Sequence, residues 1–306
     1  DNCLIEDNII NQNITTAINI NNGDFITIQG NHIGVAGDGL SNQATSGAAI
    51  AAAGSSNLVI GGDRSAGDGN VLAGNAFSSY LINVTSSTTA TIQGNVIGAS
   101  LDGNDITTSR GVTFNNVNGI TIGGTENNFR NYIAGIDSNE ALSISNADGV
   151  NVINNYFGVG IMDAHTIGNN VKGIALSNVI NFAIDRNVIS GSGQEGMSVT
   201  GTTKAGSIIN NLIGVAPDGT TDFGNTTFGI NIGAVSATVT NLTIGGSGNE
   251  NILAYNNIGI RTALTSFGSI DVNRNSIFCN TTDGIDISGT PVVSPPSITS
   301  VSSGSI

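Results

Sequence analysis

One phrase, Asn-x-Ile, recurs along the chain and limits what the chain can fold into. Taking its Asn as an anchor gives Asn8, Asn31, Asn70, Asn95, Asn131, Asn155, Asn187, Asn211, Asn251 and Asn275. The spacings are 23, 39, 25, 36, 24, 32, 24, 40 and 24 residues, so a bare unit of 23 to 25 alternates with the same unit carrying an insertion. Periods of this size define solenoids, propellers and arrays. The bare unit "NVISGSGQEGMSVTGTTKAGSIIN" holds three short apolar runs between Gly and polar turns, too little for a four-stranded propeller blade. Leu is too scarce for a leucine-rich repeat, and no tandem Gly-Gly-x-Gly-x-Asp code is present. The expected fold is therefore all-β: a single parallel β-helix over residues 1–290, with about ten coils of three short strands.

The recurring Asn has a physical account in such a stack. One residue type then recurs every strand spacing, about 4.7 to 4.9 Å. An inward Asn can bond to the corner backbone and to the Asn above and below, satisfying polar groups that would otherwise be buried unpaired. Asn31, Asn70, Asn95, Asn131, Asn155, Asn187, Asn211, Asn251 and Asn275 are the expected structural ladder.

Composition removes several functions. Only 10% of residues are charged, against an amphipathic helical protein, while 39% are hydrophobic, against disorder. A net charge of −14 repels nucleic acid and anionic membranes and suits cation binding or solubility. No apolar run approaches the length of a membrane span. Residues 291–306, "PVVSPPSITSVSSGSI", read as a linker or the start of a following domain, and the whole as a piece of a longer solenoid or multidomain protein.

The segments "GNVIGASLDGN", "GNHIGVAGDG" and "NNLIGVAPDGTTDFGN", alternating with "VIGGDRSAGDGNVLAGN", "TIGGTENNFRNYIAG" and "TIGGSGNENILAYN", resemble right-handed parallel β-helix repeats of large bacterial cell-surface and secreted proteins. That resemblance implies the pectate-lyase-like superfamily and a location outside the cell or on its surface. The superfamily joins pectate lyases, polygalacturonases, epimerases, phage tailspikes and non-catalytic adhesin segments, so it leaves activity open.

The insertions fall into two classes. Loops near 35–46, 99–110, 159–171 and 215–227 carry Asp38, Asp102, Asp163 and Asp218, with Asn42, Asn104, Asn169 and Asn225 later. Stacked on one flank, these carboxylates would bind Ca²⁺ or sugar hydroxyls; alternatively Asp-Gly simply makes a good turn. The other class follows Ile-Gly-Gly and adds Asp63, Asp68, Glu126 and Glu250. Arg130, Arg186 and Arg274 each precede a corner Asn and should share an exterior face, a row that acids interrupt at Asp7 and Glu250. Asp163 and His165, in "GIMDAHTIG", form the one Asp-x-His pair and are the candidate catalytic residues. His32 reads as an outward strand residue, and Cys3 and Cys279 as buried fillers too far apart to bridge.

The leading expectation is a monomeric, non-catalytic adhesive or spacer module without a cofactor unless Ca²⁺ binds, its partner a polysaccharide or cell-surface glycan. The alternative is a polysaccharide lyase, glycoside hydrolase or epimerase acting on the long-loop flank. Carboxylates clustered with a basic residue in one groove would favour the alternative. Ice binding ranks low, because "TTSRGVTF" and "SSTTATI" do not recur in register.

Overall fold

A computed structural model of the chain describes residues 2–74, 79–106, 108, 110–161, 167–233, 237–264 and 269–288. Every coil runs through three parallel strands, and every ladder pairs a strand with its counterpart in the coils before and after. Sheet A begins at Ile18–Asn21 and ends at Asp283–Ile287. Sheet B runs from Cys3–Glu6 to Ile270–Asn273, and sheet C from Ile9–Ile10 to Ser276–Phe278. Sheet C has ten strands of two or three residues, one for each Asn anchor. In two coils, Leu142–Ile153 and Ile174–Asp185, one strand passes from sheet A into sheet B without a break. The fold is a right-handed parallel β-helix.

Each letter of the repeated phrase has a separate task. The Asn enters the corner between sheets B and C, where its Nδ2 donates to the Oδ1 of the next coil's Asn at 2.8 to 3.1 Å, unbroken from Asn8 to Asn275. The same Nδ2 donates to a carbonyl in the preceding coil, such as that of Ile60 for Asn95 and Ile122 for Asn155. Ile, the second strand residue of sheet C, points into a core that is continuous along the helix. The following Gly turns the chain out in a left-handed conformation: at Gly158, φ is +80° and a Cβ would lie 1.9 Å from the Ser190 carbonyl oxygen.

The variable residue of the phrase faces outward on sheet C, yet Val71, Val96, Tyr132, Tyr156 and Val188 are buried there. Long-loop residues cover them. Val35, Ala99 and Ile106 pack on Val71 and Val96, while Val159 packs with Tyr132, Tyr156 and Val188. Three of these loops are small hairpins, closed by antiparallel pairing of Val35 with Asn42, Ala99 with Asp105 and Val215 with Asp222. They stack as expected: the Leu101 N–H donates to the Gly39 carbonyl at 3.1 Å.

A second polar ladder was not foreseen. At the corner between sheets C and A, the Asn225 Nδ2 donates to Asn256 Oδ1 at 2.9 Å and the Asn256 Nδ2 to Asn280 Oδ1 at 3.1 Å. Asn169 and Asn225, read above as loop residues beside a ligand stripe, serve this corner: Asn169 accepts from the Ile136 N–H and Asn225 from the Ser192 N–H. The sequence carries a signal for it, since Asn256 and Asn280 lie five residues after anchors Asn251 and Asn275. Ile136 and Ser192 fill the same position, which masks the pattern.

One further expectation needs adjustment. Cys3 and Cys279 are free and exposed rather than buried, because each lies in a coil that is paired on one side only among the described residues. In the Ile-Gly-Gly turns both Gly residues have positive φ at Gly245 and Gly246, whereas at Gly61 and Gly123 only the first does, and a Cβ at Gly124 would fall 2.9 Å from that of Phe129. Residues 289–306 lie outside the described residues.

Candidate functional site

Asp38, Asp102 and Asp218 occupy the hairpin tips, and each carboxylate serves its own loop. Asp38 accepts from the Leu40 N–H at 3.0 Å, and Asp102 from the Ser100 hydroxyl. Asp218 takes the N–H groups of Thr220 and Thr221, both at 2.8 Å, and the Thr221 hydroxyl. The Thr221 hydroxyl, then the Thr221 and Thr220 N–H groups, hold Asp218 well below the usual carboxylate range. No group of three or more His, Cys, Asp or Glu among the described residues could hold a metal ion. Asp163 and His165 lie outside the described residues. The tips are exposed, so Asp102→Ala leaves the melting temperature of the protein unchanged in a thermal scan; a fall of several degrees would show that the tips support the fold.

The Arg row dissolves into separate contacts. Arg130 lies over the Tyr156 ring, 3.8 Å from its centroid, and donates to Asn154; Arg186 pairs with its neighbour Asp185 at 3.0 Å. Arg64 reaches from another coil to lie over Tyr132 and donates to the Arg130 carbonyl at 2.7 Å. These contacts brace the corner between sheets B and C.

The chemistry gathers on another flank, at the leading edge of sheet A, where the long loops rejoin the helix. Arg110 is in register with Tyr80. Pairing of Val112 with Leu142, Leu142 with Ile174 and Ile174 with Met197 carries the same register, two residues upstream, through Glu140, Lys172 and Glu195. Tyr80, Arg110, Glu140, Lys172 and Glu195 thus form one column with one residue per coil, rising about 4.8 Å each time. All five are half-buried. The Arg110 guanidinium lies 5.2 Å from the Tyr80 ring centroid, and the Asn139 amide reaches across the intervening coil to donate to the Tyr80 hydroxyl at 3.0 Å. The buried Nε of Arg110 has no hydrogen-bond partner among the described residues. Lys172 pairs with Glu195 at 3.7 Å, and Glu195 also accepts from the Asn231 amide at 3.1 Å.

Two more carboxylates sit at the corner between sheets C and A, on the turns that lead towards this column. Asp105 ends the hairpin of the coil that carries Arg110, its Oδ1 2.4 Å from where a Cβ on Gly135 would stand. Asp137, three residues before Glu140, accepts from the Asn170 amide at 3.0 Å and donates its N–H to the Thr108 carbonyl. Desolvation and then the charge of Asp137 raise the Asp105 pKa, and desolvation raises that of Asp137. A carboxyl titrating higher folded than unfolded makes stability fall as pH rises through that interval. Asp105→Asn therefore melts above the wild type near pH 7 and alongside it near pH 3, at about the two ends of that titration; a lower melting point near pH 7 would show that the charge is stabilised by a contact not seen here.

Fold and column define a right-handed parallel β-helix with a flank of mixed charge. No family model matches the chain, and no curated protein matches it in sequence. Solved structures do. A mutant of the periplasmic alginate epimerase AlgG is similar at 11% identity, covering 89% of this chain and 72% of that one, with a TM-score of 0.48. The Dettilon tailspike protein gp208 is similar at 14% identity over 93% of this chain, which spans only 60% of the tailspike, with a TM-score of 0.49. The Azotobacter vinelandii mannuronan C-5 epimerase AlgE6 A-module has 13% identity and a TM-score of 0.20. At such identities the likeness is one of fold.

The expectation of a non-catalytic chain is corrected. It rested on carboxylates and cations being scattered, whereas sheet A brings Arg110, Glu140, Lys172 and Glu195 into consecutive coils. Sequence reasoning missed the column because its members share no motif and come from loops of different length.

Proposed function

We propose that this chain is an extracytoplasmic polysaccharide-modifying enzyme that acts at the leading edge of sheet A. The column of Tyr80, Arg110, Glu140, Lys172 and Glu195 carries this reading. The Arg110 guanidinium has no ion-pair partner among the described residues and lies half-buried over the Tyr80 ring, so its charge is available to a substrate anion. A polyuronate suits it: a sugar carboxylate neutralised by Arg110 makes the adjacent C–H more acidic, and Lys172 stands two coils further along the column. Asp105 and Asp137, with raised pKa values, are the groups from which a proton could be returned, and Glu140 the acceptor placed on the column. Proton removal next to a carboxylate leads to epimerisation or elimination, so these rank above hydrolysis. No helix among the described residues is long and apolar enough to cross a membrane. The periplasmic epimerase among the similar structures agrees with a role outside the cytoplasm.

The test is product analysis after incubation with alginate, polygalacturonate and bacterial acidic polysaccharides, with and without Ca²⁺. Altered epimer ratios or unsaturated ends are expected with at least one polymer. An unchanged panel would remove the proposal.

A further inference from the structure

A second feature lies on the outer face of sheet B in the first three coils, away from the sheet A column. There a cleft of about 620 Å³ is lined by residues that include Leu4, Phe25, Thr27, Gln29, Asn57 and Val59. Leu4, Thr27 and Val59 share one outward register position in successive coils. Phe25 stands beside them and is 57% exposed.

The backbone makes Phe25 unusual. Its φ is +55°, the left-handed region that a bulky side chain disfavours. Register shows what the position ordinarily takes: the equivalent residues in successive coils are Asn57, Thr89, Gly119, Gly149, Asn181, Ala205 and Asn241, all at positive φ. Small residues and Asn fit that corner; an aromatic ring appears once among these positions, exposed, at the edge of this cleft. A choice that opposes local preference with no gain in burial points to a task other than folding.

We infer that this cleft is a separate binding site for a neutral hexopyranose chain. A sugar ring has an apolar face, for which Phe25, Leu4 and Val59 offer matching surface, and a rim of hydroxyls, for which the Asn57 and Gln29 amides and the Thr27 hydroxyl offer donors and acceptors. None of the lining residues is Lys or Arg, and Gln29 contacts Glu6 at 3.3 Å. The site therefore lacks the cations that a uronate or phosphate would need, in contrast to the sheet A column. Its role is to hold the polymer, or its neutral stretches, to the solenoid.

The experiment is calorimetric titration and saturation-transfer NMR of the full chain with cellohexaose and mannohexaose. The wild type and Arg110→Ala should bind at least one of them equally well, with saturation passing from the protein to the sugar rings, and Phe25→Asn should weaken binding tenfold or more while melting no lower than the wild type. If Phe25→Asn melts lower, Val59→Thr, on the next coil's rim, should show the same loss. Failure of both sugars to bind, equal binding by the Phe25 and Val59 variants, or a wild type whose only Phe25-dependent property is self-association in sedimentation would overturn the proposal.

Discussion

Asn155→Ala melts roughly 6 to 12 °C below the wild type, a loss of about 3 to 5 kcal/mol from removing one amide. The size follows from the number of buried partners left behind. The Asn155 Nδ2 donates to the carbonyls of Ile122 and Ile153 and to Asn187 Oδ1, at 2.9, 3.0 and 3.1 Å. Its Oδ1 accepts both the backbone N–H of Asn131, at 3.2 Å, and the Asn131 amide, at 2.8 Å. Asn131, Asn155 and Asn187 have no exposed surface, so water cannot replace these bonds without opening the corner. A mid-stack coil also holds its neighbours, since a solenoid's stability is a sum of units and interfaces. Calorimetry would show the drop, and hydrogen exchange would place the loosening in the coils around residues 122 to 189. A shift like that of Asp102→Ala would mean that the ladder contributes little.

Arg110→Ala is expected to lower activity on an acidic polysaccharide by 100-fold or more, since a half-buried, preorganised cation at the site of developing charge contributes on that order. Arg110→Lys should recover little of it, because the flat guanidinium lies over the Tyr80 ring and an ammonium cannot reproduce that stacking. Lys172→Ala should cost less, its charge being shared with Glu195. Initial rates of the three variants, measured with melting temperatures within a few degrees of the wild type, would check the order. Equal activity for Arg110→Ala and the wild type would move the chemistry away from this column.

Period and composition made the architecture legible before any coordinates. The Asn anchors placed the first corner ladder correctly because each uses the same residue type for the same buried bond. The second ladder was hidden because insertions of different length precede Asn169 and Asn225, and Ile136 and Ser192 interrupt it. The site was legible only in principle. Tyr80, Arg110, Glu140, Lys172 and Glu195 lie 30, 30, 32 and 23 residues apart, and only strand register reveals that those unequal steps are all one coil. Asp38, Asp102 and Asp218 drew attention because they repeat visibly, yet repetition in a solenoid mostly reports the turn that every coil must make. Residues that break the repeat, such as Arg110 and Phe25, are the better guide to function here.

The most direct test of a proton-abstracting column is solvent exchange. Polyuronates would be incubated with the wild type and with Arg110→Ala in deuterated water, and the carbon next to the sugar carboxylate followed by NMR. Deuterium entering at that carbon, or its conversion to an unsaturated end, in the wild type but not in the variant, is the predicted result. No exchange and no product with any polyuronate, or equal exchange by both proteins, would contradict it.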